Sequence, residues 1–144
     1  MTAISSETLH ASCVVIGGRA ILIEGLSGTG KSDLALRLID RGARLVSEDY
    51  TMVRRQGGAL IAAPPATLAG KMEVRGLGIV DMPFVTDQPV ALIVGLGEAV
   101  ERMPEPADSR IIAGIAVPCC ALPSLDASAP IKVELALAKW GLKP

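Results

Sequence analysis

The chain alternates short apolar runs with glycine-rich or polar breaks, a pattern that predicts many short strands and few helices. The glycine pair at 17–18 separates the first and second runs, and the pair at 57–58 separates the fourth and fifth. Each pair predicts a hairpin turn. Apolar residues recur at helical spacing over 33–39 and 133–140. The predicted strands are 12–16, 20–23, 44–47, 50–55, 59–63 and 90–94.

The repeated hairpins indicate a mixed β-sheet, because a purely parallel sheet needs a long crossover between consecutive strands. The predicted fold class is therefore α/β with a mixed β-sheet. Residues 98–110 include Pro104 and Pro106 and are expected to form an exposed loop. No repeat or linker divides the sequence, so residues 1–144 are expected to form a single domain.

Eight consecutive residues match the pattern of a phosphate-binding loop, and they lie between a predicted strand and a predicted helix. They are Gly25, Leu26, Ser27, Gly28, Thr29, Gly30, Lys31 and Ser32. The glycines let the backbone curl so that its N–H groups point inward at a phosphate, and the helix N-terminus faces the same anion. Lys31 can reach the β- and γ-phosphates, and the Ser32 hydroxyl can ligate Mg²⁺. The sequence therefore predicts nucleotide binding.

Composition and charge exclude other classes of function. With 14 Lys and Arg against 15 Asp and Glu, the formal net charge is −1, and no basic stripe supports nucleic-acid binding. No apolar run reaches the roughly 18 residues of a membrane-spanning helix, and the first residues do not resemble a signal peptide. The three cysteines lack metal-ligand spacing and are expected to be core residues in a reducing compartment, which predicts a cytoplasmic protein without nucleic-acid or membrane partners.

Phosphoryl transfer needs a carboxylate near the metal and, for an alcohol acceptor, a base that receives its proton. Glu48 and Asp49 end the predicted strand that follows the helix of the loop, close to the expected position of the metal. Two adjacent acids at a strand end can also form an ordinary solvated turn. His10 is the single histidine and precedes the first hairpin, and an isolated surface histidine is more often inert than catalytic.

Residues 72–80 combine a carboxylate, a guanidinium and two glycines within a short segment. As an ordinary strand and turn, this segment would hold Glu73 and Arg75 as a surface ion pair of little energetic value. As part of a site, its glycines would let the backbone approach a ligand, with Glu73 at a metal and Arg75 at a phosphate. The spacing alone leaves both interpretations open.

The run Glu-Val-Arg-Gly-Leu-Gly-Ile at 73–79 resembles the signature of the bacterial HPr kinase/phosphorylases. Those enzymes phosphorylate a serine of HPr, the phosphocarrier protein of the sugar phosphotransferase system, and can remove the phosphate. The resemblance continues in His10, which lies 21 positions before the loop lysine, in the acidic pair, and in Arg102 before a late Val-Pro. It implies a P-loop kinase domain similar in fold to phosphoenolpyruvate carboxykinases.

The resemblance also implies ligands, roles and assembly. ATP and Mg²⁺ would be the cofactors, HPr the protein substrate, and a homo-oligomer the assembly, because full-length relatives form hexamers. The resemblance implies that the loop and Lys31 bind the triphosphate and that Ser32 and Glu73 bind Mg²⁺. It implies proton transfer by Asp49 and action at the reacting phosphate by His10 and Arg102. Glu48 and Arg75 would support the site.

Three departures from the family bear on the expected activity. The sequence starts near the catalytic module, as in a short form without the additional N-terminal domain of full-length relatives. The acidic pair of relatives is usually Asp-Asp, whereas here its first member is the longer Glu48. Relatives carry an arginine, associated with dephosphorylation, before the last helices, whereas the matching region 122–130 of this chain has no arginine and includes Asp126. We therefore expect the reverse phosphorylase activity to be weak or absent.

The sequence as a whole predicts an ATP-dependent, Mg²⁺-requiring protein-serine kinase that acts on HPr. One alternative is a small-molecule P-loop kinase, which would need an arginine-bearing lid, and the last third of the chain has few arginines. A second alternative is a nucleotide-sensing regulatory module without turnover.

Overall fold

The computed structural model describes residues 5–26, 28–97, 100–102, 104, 108–123 and 126–144. Within these residues the chain forms eleven strands and two helices. The strands are β1 (Ser6–Leu9), β2 (Ser12–Ile16), β3 (Arg19–Glu24), β4 (Arg44–Ser47), β5 (Thr51–Gln56), β6 (Ala59–Ala63), β7 (Lys71–Val74), β8 (Gly78–Asp81), β9 (Gln88–Leu96), β10 (Asp108–Ile112) and β11 (Ile115–Leu122). The helices are α1 (Lys31–Asp40) and α2 (Ala129–Trp140).

A nine-stranded mixed sheet lies at the centre of the fold. Its strands follow the order β1-β5-β6-β9-β3-β2-β4, and β11, with β10 beside it, joins at β9. β9 pairs in parallel with β3 and β11 and antiparallel with β6. The predicted β2–β3 and β5–β6 hairpins are present, and Gly17 and Gly18 supply the two positive φ angles (56° and 80°) of the first turn. The predicted α/β fold with a mixed sheet is confirmed.

The central strands are buried on both faces, and their side chains alternate between two apolar cores. On one face, Val14, Ile21 and Ile23 pack in a cluster with residues of α1 and α2. On the other face, Val15 and Leu22 pack with residues of β4, β5 and β6. Burial on both faces explains why β2, β3 and β9 are almost continuously apolar in sequence.

The two helices pack on the same side of the sheet and are joined by an ion pair. Arg41, just after α1, contacts Glu134 of α2 at 2.7 Å. The hydrogen bonds that Arg41 donates to the Glu134 carboxylate raise the pKa of its guanidinium. In the part of the chain that the structure describes, no helix is long and apolar enough to cross a membrane.

The strand directions bring four segments of the chain to one edge of the sheet. β3 ends at this edge, and β2, which is antiparallel to β3, begins there. β4 is antiparallel to β2 and therefore ends at the same edge, as does β9, which is parallel to β3. The loop after β3, the turn before β2 and the acids after β4 consequently lie near one another.

The prediction of a loop over residues 98–110 is wrong at its C-terminal end. Residues 108–110 belong to β10, which turns at Ala113-Gly114 and pairs with β11. Among the described strands β10 pairs with β11 alone, so most of its side chains face solvent and its sequence lacks an apolar run. Residues 98, 99, 103 and 105–107 of the predicted loop lie outside the described residues.

The cysteines divide between the core and its margin. Cys13 is buried as predicted, and its burial strongly raises the pKa of the thiol. Cys119 and Cys120 are only partly buried and pack against the margins of the two cores, so they are less buried than predicted. Both lie on β11, beside the edge strand β10, where the sheet is covered less completely.

We expect Leu38→Ala to lower the free energy of unfolding by about 2–5 kcal/mol. Leu38 lies on the buried face of α1 and is fully buried in the core, so its truncation leaves a cavity. The control is Leu135→Ala on α2, where the side chain is 64% exposed; its effect should stay within about 0.5 kcal/mol. Urea unfolding followed by circular dichroism measures both values. Equal losses in the two variants would contradict this packing of α1.

Candidate active site

The phosphate-binding loop connects β3 to α1, as the sequence predicts. A Cβ atom on Gly25 would lie 2.4 Å from the Thr29 hydroxyl oxygen and 3.1 Å from the Leu96 carbonyl oxygen. Only glycine fits at this position, because the loop folds against its own threonine and against the end of β9. Thr29 closes the loop by donating from its backbone N–H (3.1 Å) and its hydroxyl (2.6 Å) to the Leu26 carbonyl oxygen. Ser27 lies outside the described residues.

Lys31 is the first residue of α1, and its side chain lies across the loop. The Nζ atom donates hydrogen bonds to the carbonyl oxygens of Gly25 (2.8 Å) and Leu26 (3.3 Å). The residue is buried, so its ammonium group is held inside the curve of the loop. An anion bound there would meet this positive charge directly, in surroundings where water screens it little.

Glu48 connects α1 to β7. One of its carboxylate oxygens accepts a hydrogen bond from the Ser32 hydroxyl, and the other accepts a long one from the backbone N–H of Glu73 (3.4 Å). The sequence gives Glu48 only a supporting role, but the structure places it against both predicted Mg²⁺ ligands. Two carboxylates at adjacent sequence positions carry no signal of which one faces the serine.

The oxygen donors around Ser32 fit a magnesium ion. Hydroxyl and carboxylate oxygens are hard ligands, and Mg²⁺ is usually bound through one or two carboxylates together with substrate phosphates. Ser32 and Glu48 would hold the ion on the side of α1, and the backbone N–H of Glu73 lies within hydrogen-bond distance of Glu48. Across residues 5–26, 28–97, 100–102, 104, 108–123 and 126–144, no three or more His, Cys, Asp or Glu side chains form a metal cage.

A tight turn separates the two adjacent acids. Asp49 has a positive φ (70°), and the N–H of Tyr50 donates to the carbonyl oxygen of Glu48 (2.8 Å), which is the hydrogen bond of a γ-turn. Two serines hold the turn: the Ser12 hydroxyl accepts from the Asp49 N–H (3.2 Å), and the Ser47 hydroxyl donates to the Tyr50 carbonyl. Glu48 therefore contacts Ser32, whereas Asp49 contacts His10.

Asp49 meets His10 on the outer side of this turn. The His10 Nε2 atom lies 2.9 Å from an Asp49 carboxylate oxygen, and both side chains are about half exposed. A carboxylate can only accept, so the hydrogen of this bond is on Nε2. His10 also lies in a tight turn, in which the Ala11 N–H donates to the Leu9 carbonyl oxygen (3.0 Å). The structure thus brings together two site residues that the sequence predicts separately.

The two predicted arginines are less closely involved. Arg75 is exposed in the turn between β7 and β8, and Arg102 is exposed beyond the end of β9. Neither guanidinium forms an ion pair or a hydrogen bond with the described residues of the loop, with Glu48 or with Asp49. Their roles at phosphate stay predictions of the sequence.

An unpredicted arginine contacts the base of the loop instead. Arg110 on β10 binds both carboxylate oxygens of Glu24, with both N···O distances at 2.7 Å. These hydrogen bonds raise the pKa of Arg110, and they join β10 to the last residue before Gly25. Glu24 directly follows the predicted strand 20–23, but the assignment of residues 98–110 to a loop concealed its partner.

The fold and the loop together define an α/β domain with a P-loop. The family model of the HPr Serine kinase C-terminal domain matches residues 2–139. The chain therefore belongs to that family.

Relatives and a solved structure agree with this assignment. The chain is 49% identical to the HPr kinase/phosphorylase of Clostridium tetani (strain Massachusetts / E88) over 75 residues, which cover 52% of this chain and 25% of the relative. It is 34% identical to the HPr kinase/phosphorylase of Limosilactobacillus reuteri (strain DSM 20016) over 130 residues, or 81% and 41% of the two chains. The chain thus matches well under half the length of these curated relatives.

The solved structure is the Hpr(Ser) kinase/phosphatase from Coxiella burnetii. It superposes on the chain with a TM-score of 0.82 at 30% sequence identity, over 92% of this chain and 95% of the other. The similarity therefore extends over almost the whole fold.

We expect Glu48→Gln to raise the Mg²⁺ concentration needed for tight ATP binding by about 10- to 100-fold. The substitution replaces the carboxylate that accepts the hydrogen bond of the Ser32 hydroxyl with an uncharged amide. Glu73→Gln should act in the same direction. The control is Glu134→Gln, which removes an acid from the helix–helix contact far from the loop. Calorimetric titrations with ATP at several Mg²⁺ concentrations measure the effect. A response to Glu73→Gln alone would restrict the protein ligands to Ser32 and Glu73.

Proposed function

We propose that this chain is an ATP-dependent, Mg²⁺-requiring kinase that phosphorylates a serine of the phosphocarrier protein HPr. Membership of the family and the names of its relatives support the reaction and the substrate. Assembly as a homo-oligomer and a cytoplasmic location stay predictions of the sequence.

One observation carries the proposal. The γ-turn at Asp49 directs Glu48 to the Ser32 hydroxyl and Asp49 to His10, so two adjacent carboxylates serve two different positions. A kinase that uses a hydroxyl acceptor needs these two functions: one acid near the metal and one that receives the acceptor proton.

The residues would act in the following way. Lys31 and the backbone N–H groups of the loop hold the triphosphate. Mg²⁺, when bound, offsets negative charge on the phosphate oxygens. Asp49 accepts the proton of the serine hydroxyl as the serine oxygen bonds to the γ-phosphorus. The bond from that phosphorus to the bridging oxygen breaks, and ADP leaves with the electron pair.

His10 orients the base in this scheme. Its Nε2–H donates to one oxygen of Asp49, which leaves the second oxygen available to the incoming hydroxyl. The exposure of both side chains supports a large acceptor, since a protein can reach this edge without a lid opening.

The deciding experiment is incubation of the protein with radiolabelled ATP, Mg²⁺ and purified HPr. Phosphate on an HPr serine supports the proposal. ATP binding with no transfer to any acceptor would support a nucleotide-sensing module, and transfer to small molecules alone would support a metabolite kinase.

We expect Asp49→Asn to slow phosphoryl transfer by about 10²–10⁴-fold, because asparagine cannot accept the serine proton. ATP affinity should stay unchanged, because the hydrogen bonds of Lys31 and Ser32 do not involve the Asp49 side chain. Single-turnover kinetics with HPr measure the rate, and calorimetry measures the affinity.

Asp87→Asn is a matched control for this variant. Asp87 is also an exposed aspartate with positive φ (57°) in a side-chain ion pair, here with Arg54, so its replacement tests the same chemistry away from the site. Its transfer rate should equal that of the wild type. An Asp49→Asn rate equal to that of the control would show that Asp49 is not the base.

We also expect the kinase direction to exceed the phosphorylase direction. Phosphorolysis brings inorganic phosphate against a phosphoserine with about −1.5 to −2 charge, which requires additional positive charge. In the 126–132 segment, Lys132 faces the Asp126 carboxylate at 3.6 Å, and Arg37, which donates to the Asp126 carbonyl oxygen, pairs with Asp33. The cations described here are therefore already partly neutralised.

Serine-phosphorylated HPr mixed with millimolar phosphate, in the absence of ATP, tests the direction. Little or no pyrophosphate should be released. Release as fast as the forward reaction would contradict the expectation.

A further inference from the structure

Tyr50 packs on the imidazole of His10. The two ring centroids lie 4.9 Å apart and the ring planes are inclined by 21°, which is a stacked arrangement within the range of favourable aromatic pairs. The Tyr50 side chain is 43% exposed, so part of its surface is covered at the mouth of the site.

The backbone around Tyr50 is held on both sides. Its N–H donates to the Glu48 carbonyl oxygen (2.8 Å), and its own carbonyl oxygen accepts from the Ser47 hydroxyl. Consecutive residues of a regular strand point to opposite faces. The γ-turn removes this restriction, so that Asp49 and Tyr50, although adjacent, both reach His10.

The two contacts constrain the imidazole differently. The hydrogen bond to Asp49 fixes the position of Nε2 but permits the ring to swing about that bond. The χ2 torsion of histidine is broad, so a half-exposed imidazole with one hydrogen bond samples several orientations. A ring stacked on its face removes most of that freedom.

We propose that Tyr50 is a positioning residue that holds the His10 ring in the plane where Nε2–H meets Asp49. The proposal rests on the proposed function, in which Asp49 receives the serine proton. The contact is aromatic, so the ring carries the effect and the hydroxyl does not. No Tyr50 contact with nucleotide or metal is involved.

Nuclear magnetic resonance tests the arrangement without any activity measurement. The chain has one histidine and one tyrosine, so its imidazole and phenol ring signals are unambiguous. In the wild type, we expect nuclear Overhauser effects between the two rings. Tyr50→Leu should move the His10 ring proton signals downfield, because the ring current is lost, and Tyr50→Phe should leave them close to the wild-type positions.

Kinetics test the consequence. Tyr50→Leu should lower kcat for HPr phosphorylation by roughly 2- to 12-fold, the factor that corresponds to one aromatic pair. KM for ATP should not change, because the Tyr50 ring contacts His10 and the hydrogen bonds of Lys31 and Ser32 do not involve it. Tyr50→Phe should restore most of the lost turnover. The control is Met52→Ala, which truncates the next exposed side chain of the same segment (46% exposed) and should leave kcat unchanged.

The outcomes separate this proposal from the proposed function. Unchanged His10 signals and unchanged kcat in Tyr50→Leu would overturn the positioning role, as would an equal loss of kcat in Met52→Ala. Failure of the wild type to phosphorylate HPr would overturn the proposed function, and the NMR comparison would still decide whether Tyr50 orders the ring. A fall in kcat that Tyr50→Phe does not restore would also refute the proposal, because it would assign the effect to the hydroxyl.

Discussion

The left-handed backbone at Asp49 is the constraint on which the arrangement of the site depends. In a regular strand, adjacent side chains point to opposite faces of the sheet, so Asp49 and Tyr50 could not both contact His10 as they do here. A positive φ (70°) at a residue other than glycine costs about 1–3 kcal/mol. Three hydrogen bonds offset this cost and keep the strain at one position. The Ser47 hydroxyl donates to the carbonyl oxygen after the turn, the Asp49 N–H donates to the Ser12 hydroxyl, and the next N–H donates to the Glu48 carbonyl oxygen. The γ-turn is therefore a stable part of the fold rather than a local irregularity.

The sheet topology determines what this turn can reach. His10 and Asp49 are 39 positions apart in sequence, yet they meet because β2 begins and β4 ends at the same edge. The loop after β3 opens at that edge as well, where ligands commonly bind in open α/β sheets. Gly25 fits closely against the end of β9, the strand that pairs with β3, β6 and β11. The phosphate-binding loop and β9 are therefore packed together without space for a side chain at Gly25.

Sequence patterns predicted what depends on local chemistry. The P-loop, its helix, the β2–β3 hairpin and the mixed sheet were all accessible, because glycine pairs and apolar runs report backbone turns and burial directly. The separation of Glu48 from Asp49 was not, because a positive φ at an aspartate has no sequence signal comparable to a glycine. β10 was missed because an edge strand needs no apolar run, and the contact between Glu24 and Arg110 was lost with it.

The length of Glu48 acquires a physical meaning from the two groups that it contacts. Its carboxylate accepts hydrogen bonds from the Ser32 hydroxyl on α1 and from the backbone N–H of Glu73 on β7. β7 and β8 form their own two-stranded sheet, and buried Met72 packs them against the core beside α1. The residue that departs from the family's usual Asp-Asp pair is thus also the polar link between the P-loop helix and the signature hairpin. A carboxylate one methylene shorter, starting from the same backbone position, would have to give up part of one contact to keep the other.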